Sequence, residues 1–302
     1  MCIRDRYVRS WTIESNFLEN IKYITIRNIN YYYVKNRQMK NNIVMITGGA
    51  SGIGKGICGV MAKKGSSIAI ADINEDNLKK VEEELIEEGY TAKAYQLDVT
   101  NSNQLEKTIN KIIGDFGQID VLVNSAGRYI GAPGFNEIER LREEDWDIIF
   151  ELNMMGTILA IETVIPHMKK RKYGKIINMA SHCGRYGSSL NPAYHSSKAA
   201  IINLTQSYAI ELGPHNINVN AICPGDVFTS MTKRVTSWIN ERNDNQKNIS
   251  AKQFHKKMIE NQPLKVEPTT IDIGQIAYFL SSDEARSITG QSINVNGGAR
   301  MD

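Results

Sequence analysis

The sequence predicts an α/β chain built on a single doubly wound parallel sheet with helices on both faces. Two observations lead there. From Met39 onward, short apolar runs alternate with longer amphipathic stretches, the pattern of βαβ units whose sheet is covered on both sides. The first such run ends in glycines directly before the first helical stretch, where a tight strand-to-helix turn belongs. Right-handed crossovers then wind the sheet in both directions.

The elements follow in order. Residues 43–47 read as a strand, 53–64 as a helix, 67–71 as a strand and 75–88 as a charged amphipathic helix. Strand 93–99, helix 102–116 and strand 119–123 come next. A long helix is predicted over 143–170, with Pro166 kinking it or marking its last turn. Strands 175–179 and 217–222 flank a helix over 192–212. Residues 226–264 are polar, irregular in pattern and follow a strand end, where a substrate-covering lid would sit. No internal repeat or linker divides residues 39–302, which are read as one domain.

Composition narrows the class. The chain has 302 residues, 41% hydrophobic and 23% charged, enough for a substantial core. No run reaches the ~18 consecutive apolar residues of a membrane helix. Cys2, Cys58, Cys183 and Cys223 are scattered, with neither a CxxC pair nor histidines at zinc spacing. That argues against a disulfide framework or a structural metal and fits a reduced, cytoplasmic setting. The net charge of +3 resides in residues 1–38, which balance at +4; the rest balances at −1. The body of the chain therefore offers no basic surface for nucleic acid or membrane.

Met1 to Arg6 resembles the translation of a transposase adaptor used in sequencing libraries, and the stretch up to Gln38 is rich in Ile, Asn, Tyr and Lys. Residues 1–38 are read as a non-native or disordered extension. A transit peptide or a genuine arm are the alternatives, the former disfavoured by Asp5, Glu14 and Glu19. A chain beginning at Met39 is expected to keep full activity and thermal stability. A large loss of either, measured side by side with the full chain, would place the segment in the fold.

The turn Thr47-Gly48-Gly49-Ala50-Ser51-Gly52-Ile53-Gly54 joins strand to helix. A dinucleotide pyrophosphate needs close backbone approach and free N–H groups at a helix N-terminus, and glycine permits both. Alone, the motif is equally a plain tight turn. Asp72, 24 residues after Gly48 at the end of the second strand, can accept hydrogen bonds from the adenosine ribose. It would repel a 2′-phosphate, and no basic residue stands beside Ser51, so NAD is favoured over NADP. An N-cap or turn role is the plainer alternative for Asp72. Asp98-Val99 and Asn124-Ser125-Ala126-Gly127 also fall at strand C-termini, the ligand edge of a Rossmann-type sheet. Asp98 could bond the adenine amino group, and Ala126-Gly127 could let the ribose pass.

Tyr194-His195-Ser196-Ser197-Lys198 puts Tyr194 and Lys198 one helical turn apart. Ionising a free tyrosine at neutral pH costs about 4 kcal/mol, and a desolvated ammonium beside it supplies part of that. Tyr194 then serves as general acid/base for an alcohol–ketone pair. A bare YxxxK pair is common by chance, but Ser181, 13 residues upstream, can stabilise charge on the substrate oxygen. Asn153 can hold a water that relays protons from Lys198, although a mid-helix Asn is more often backbone-bonded. His182 and His195 raise a Ser–His hydrolase, but no GxSxG elbow surrounds Ser181.

Together, TGGASGIG at 47–54, Asp72, Asp98-Val99, NSAG at 124–127, Asn153, Ser181, YHSSK at 194–198 and Pro224-Gly225 resemble the short-chain dehydrogenase/reductase family from Ile43 to the end. The resemblance implies a tetrad of Asn153, Ser181, Tyr194 and Lys198. Lys198 would bond the nicotinamide ribose, and Pro224, Gly225, Val227 and Thr229 would contact the nicotinamide end. It also implies a homotetramer built through the helices near 143–170 and 192–212, and no catalytic metal. Ser125 replaces the family's usual second Asn, and Arg128-Tyr129 after that turn is less usual; either residue of the latter pair could shape the pocket or bind an anionic substrate. The 226–264 segment looks most like members acting on polyols, diols and sugar alcohols. The expected activity is thus an NAD-dependent dehydrogenase of a small secondary alcohol. The alternatives are an NADPH-dependent 3-oxoacyl-[acyl-carrier-protein] reductase and a non-catalytic nucleotide sensor.

Overall fold

In the computed structural model, seven strands form one parallel sheet in the order β3-β2-β1-β4-β5-β6-β7. Residues 42–129, 141–188, 191–241 and 248–301 are described; the expected extension at 1–38 lies outside them. The strands are β1 Ile43–Thr47, β2 Ser67–Asp72, β3 Ala92–Gln96, β4 Val121–Asn124, β5 Gly174–Met179, β6 Ile217–Pro224 and β7 Ser292–Val295. The predicted β3 was longer. Its last residues, Leu97 to Val99, leave the sheet after Leu97 N donates to Asp72 O, and this turns Asp98 towards the ligand edge.

Alternation within each strand supplies both halves of the core. Val44 and Ile46 of β1 face α1 (Gly52–Lys63), α2 (Glu75–Glu87) and α9 (Thr270–Ser281). Ile43 and Met45 face the other way, against α3 (Ser102–Phe116), α5 (Gly156–Arg171) and α6 (Pro192–Leu212). A parallel sheet hides both faces, so its strands read as continuous apolar runs.

The long predicted helix is broken, but not at Pro166. α4 (Glu143–Phe150) passes into a π-helical turn over Glu151–Met155 before α5 resumes and runs past Pro166 to Arg171. The stretch Glu143–Arg171 is long and apolar enough to cross a membrane; here Ile161, Val164 and Met168 are spent on the core. π-turns are rare and concentrate at functional sites, and this one carries Asn153.

The segment expected to be irregular is largely helical. α7 (Ser230–Glu241) and α8 (Ala251–Glu260) follow β6. A capping box starts α8, with Ser250 Oγ accepting from Gln253 N and Gln253 Oε1 from Ser250 N.

Parallel register puts the strand ends level. Thr47 pairs with Asn124, and Asn124 with Asn178. The chain reverses its direction of travel between β1 and β4, which opens a crevice at that edge.

Candidate active site

A cavity of about 870 Å³ occupies this crevice. Its floor is the glycine turn. Gly48 has φ +65°, and a Cβ there would fall 2.8 Å from the Ala126 backbone. A Cβ on Gly54 would fall 2.1 Å from Gly48 O, so the turn folds on itself only without side chains. Ser51 precedes α1 without a side-chain cap bond, and no acid stands in the helix's first turn. The first N–H groups of α1 are therefore available to an anion. These features fit a dinucleotide pyrophosphate.

Asp72 holds the turn as well as lining the cavity. One carboxylate oxygen accepts from Ala50 N at 3.1 Å and the other from Asn74 N at 3.0 Å. The turn role and the ligand-facing role thus coexist in one side chain. Asp98 also lines the cavity while its Oδ1 accepts from the N and Oγ1 of Thr100. Ser51, Gly52, Ile53, Val99, Ala126, Gly127, Pro224, Gly225, Val227 and Thr229 complete the predicted wall.

Asn124 departs from expectation. Its side chain is buried, and Nδ2 donates to Asn178 Oδ1 at 3.0 Å. Asn178 Nδ2 in turn donates to Thr205 Oγ1 at 3.0 Å. This buried chain ties β4 and β5 to α6; the Asn124 side chain is spent inside the protein. Thr47 was not singled out in the sequence, yet its Oγ1 accepts from the N–H groups of Ser125 and Ala126 at 3.2 and 3.3 Å.

α6 brings Tyr194 and Lys198 to the cavity beside Ser181. Asn191 caps the helix by accepting from Tyr194 N at 3.0 Å, which places Tyr194 at the third position of α6. Lys198 is buried; its Nζ donates to Met179 O at 2.8 Å and lies 5.7 Å from the Tyr194 ring centroid. Burial depresses the Lys198 ammonium to about 8.

Tyr194 itself is not lowered. Burial pushes its pKa well above the usual tyrosine range, with the Cys183 thiol adding to the rise and the Ser181 hydrogen bond opposing it. The expectation was a phenol tuned downward by Lys198; in the free protein burial dominates and the net movement is upward, with the ammonium 5.7 Å from the ring centroid. Tyr194 stands as a neutral phenol, a ready proton donor.

Asn153 is buried in its π-turn. Its Oδ1 accepts from Arg128 N at 2.7 Å, and Nδ2 donates to Arg128 O at 3.0 Å and Ser197 Oγ at 3.2 Å. The amide clamps the turn after Gly127 to α6. Tyr129, next to that clamp, packs its ring 5.0 Å from Tyr194. The sequence singled out Tyr129 with Arg128 as able to shape the pocket, and its ring does line the cavity.

A dinucleotide-shaped crevice with a phenol, an ammonium and a serine hydroxyl at one end defines an oxidoreductase that works with a nicotinamide cofactor on CH–OH groups. Comparison with known proteins agrees. Residues 42–240 match the short chain dehydrogenase family, and the chain belongs to that family. It is 34% identical to the 3-oxoacyl-[acyl-carrier-protein] reductase FabG of Thermotoga maritima, across 86% of this chain and 98% of that protein. Among solved structures it resembles an NAD⁺-bound xylitol dehydrogenase, with TM-score 0.79, 30% identity and coverage of 87% of this chain and all of that one. It also resembles an actinorhodin polyketide ketoreductase with NADPH, with TM-score 0.77, 28% identity and coverage of 86% and 97%.

Proposed function

We propose that the protein is an NAD(H)-dependent dehydrogenase that interconverts a small secondary alcohol, of the polyol, diol or sugar-alcohol type, with its ketone. The cofactor reading rests on Asp72. A carboxylate held at the cavity wall by Ala50 N and Asn74 N accepts ribose hydroxyls and repels a 2′-phosphate. The following residue is the exposed, uncharged Ile73. When bound, the nicotinamide supplies or accepts the hydride. Tyr194 moves the proton at the substrate oxygen, Ser181 hydrogen-bonds that oxygen, and Lys198 carries the positive charge beside the ribose. Asn153 keeps the Gly127–Arg128 turn against α6. The exposed Ile148 and Met155 before α5 and Ile210 on α6 support assembly of a homotetramer through these helices. Residues 1–38 remain, on this reading, an extension that the domain does not need.

The NAD reading predicts a kcat/KM at least about tenfold higher with NAD(H) than with NADP(H), some 1.4 kcal/mol. Asp72→Ala with Ile73→Arg is expected to reverse that order. The same change costs on the order of 1 kcal/mol of stability, because Ala50 N and Asn74 N lose their acceptor. A wild-type preference for NADP(H) in the paired assay would defeat it.

A second reading, 3-oxoacyl-[acyl-carrier-protein] reductase, is favoured by the Thermotoga relative's name. Arg128 and Arg234 at the cavity also suit an anionic substrate or carrier. Rates with acetoacetyl thioesters against rates with polyols separate the two.

A further inference from the structure

Beyond Tyr194 the cavity wall is the 3₁₀ turn His182–Arg185 and the residue after it. His182 lies within this wall, next in sequence to Ser181, and is only 8% exposed. No nitrogen or oxygen partners its buried Nδ1, and the Cys183 thiol lies against the ring. An imidazole nitrogen shut away from water without a partner is destabilising. Such a group one residue from the serine that faces the reacting oxygen suits a ligand hydroxyl.

The surroundings hold that imidazole still. Ser181 Oγ accepts from Cys183 N at 3.1 Å, closing the start of the turn. The Tyr186 ring stands edge-on to His182 at 6.1 Å and to His195 at 4.9 Å. Tyr186 O contacts His195 Nδ1 at 2.9 Å. Arg185 Nη2 donates to Ser292 O at 2.6 Å, and the Arg300 guanidinium lies 4.0 Å above the Tyr186 ring. The turn is thus fastened to α6 on one side and to the C-terminal strand on the other. Burial pulls the His182 pKa down, but the Cys183 thiol and the Asp226 carboxylate outweigh it and the net movement is upward. In its neutral form the ring carries one N–H and one lone pair, so it can either donate to or accept from a hydroxyl. The 226–264 segment lines the cavity with apolar Met231, Val235, Phe254 and Met258 beside the polar Thr232 and Arg234.

We propose that His182 is a specificity-determining residue that hydrogen-bonds a second hydroxyl, on the carbon next to the reacting one, so that vicinal diols are selected over mono-alcohols. This rests on the secondary-alcohol reading and deepens it. A mono-alcohol leaves the buried nitrogen orphaned, whereas a diol partners it. Sites built to bond a substrate hydroxyl discriminate strongly against the analogue that lacks it.

The test compares 2,3-butanediol with 2-butanol, which differ by one hydroxyl, for wild type, His182→Leu and His182→Gln with NAD. Wild type is expected to favour the diol by at least about tenfold in kcat/KM. His182→Leu brings that ratio close to one while the rate with 2-butanol stays within about twofold. His182→Gln, which keeps a donor and an acceptor, retains part of the preference. NADH binding by fluorescence and thermal unfolding, both unchanged, certify the fold of each variant. Equal losses on both alcohols, or a diol preference that survives in His182→Leu, overturn the role of His182 and leave the diol reading standing. A wild type that does not prefer the diol, or that turns over neither alcohol, overturns the diol class itself.

Discussion

Tyr194→Phe is expected to lower kcat by about 10²- to 10⁴-fold, the usual worth of one positioned acid/base, while NADH binding changes by less than about twofold. The substitution removes one oxygen and leaves the ring against Tyr129. Its cost in stability is about 1 kcal/mol, from the lost Ser181 hydrogen bond. Because burial holds the phenol protonated, reduction of a ketone needs no prior ionisation and its rate is flat across neutral pH. Oxidation needs the phenolate, so its rate climbs as pH rises. Following NADH absorbance in both directions from pH 6 to 10 checks both points. Turnover unchanged in Tyr194→Phe would remove the enzyme from this site, and no turnover in wild type with any alcohol would favour a nucleotide sensor.

Lys198→Met is expected to reduce kcat by about 10²-fold or more, as loss of a fixed charge beside reacting groups does, without destabilising the fold at pH 7. The reason lies in the depressed ammonium. Lys198 titrates near 8 when folded, against 10.5 for the ordinary side chain. Between those values the unfolded chain binds the extra proton, so the wild-type stability rises with pH across that window. Below about pH 8 the folded protein carries the whole burial penalty, roughly 3 kcal/mol at ~1.36 kcal/mol per unit. Methionine removes this penalty together with the bond to Met179 O, worth about 1.5 to 3 kcal/mol. The variant should match or exceed wild type in Tm at pH 7, and its advantage should shrink towards pH 10. Paired unfolding curves across pH 7 to 10 read the difference directly. A gap that does not change with pH would mean that Lys198 is not held as a depressed ammonium.

Strand and helix periodicity exposed most of this architecture, because a sheet covered on both faces writes itself as apolar runs such as Ile43–Thr47. The helices 102–116 and 192–212 were legible to the residue, since Asn101 and Asn191 cap them. Other features depend on contacts distant in sequence. The π-turn around Asn153 has no period of its own, and the partner of its amide, Arg128, lies 25 residues away. Asn124 read as a ligand residue from its place at a strand end, but its partners, Asn178 and Thr205, arrive from β5 and α6. The lid was misjudged for a nearer reason. Ser250 and Gln253 carry a helix-start signature that polar composition obscured, and Phe254 and Met258 lie one turn apart on the cavity side. The direction of the Tyr194 pKa depends on burial, which only the folded chain supplies.

The buried chain from Asn124 through Asn178 to Thr205 has a kinetic consequence. It joins the turn after β4 to the helix bearing Tyr194 and Lys198, so those parts travel as a single block. α7 and α8 lie outside that linkage. Substitutions in 226–264 are therefore expected to change product release more than the chemical step at α6, read as a change in kcat without a matching change in single-turnover rate.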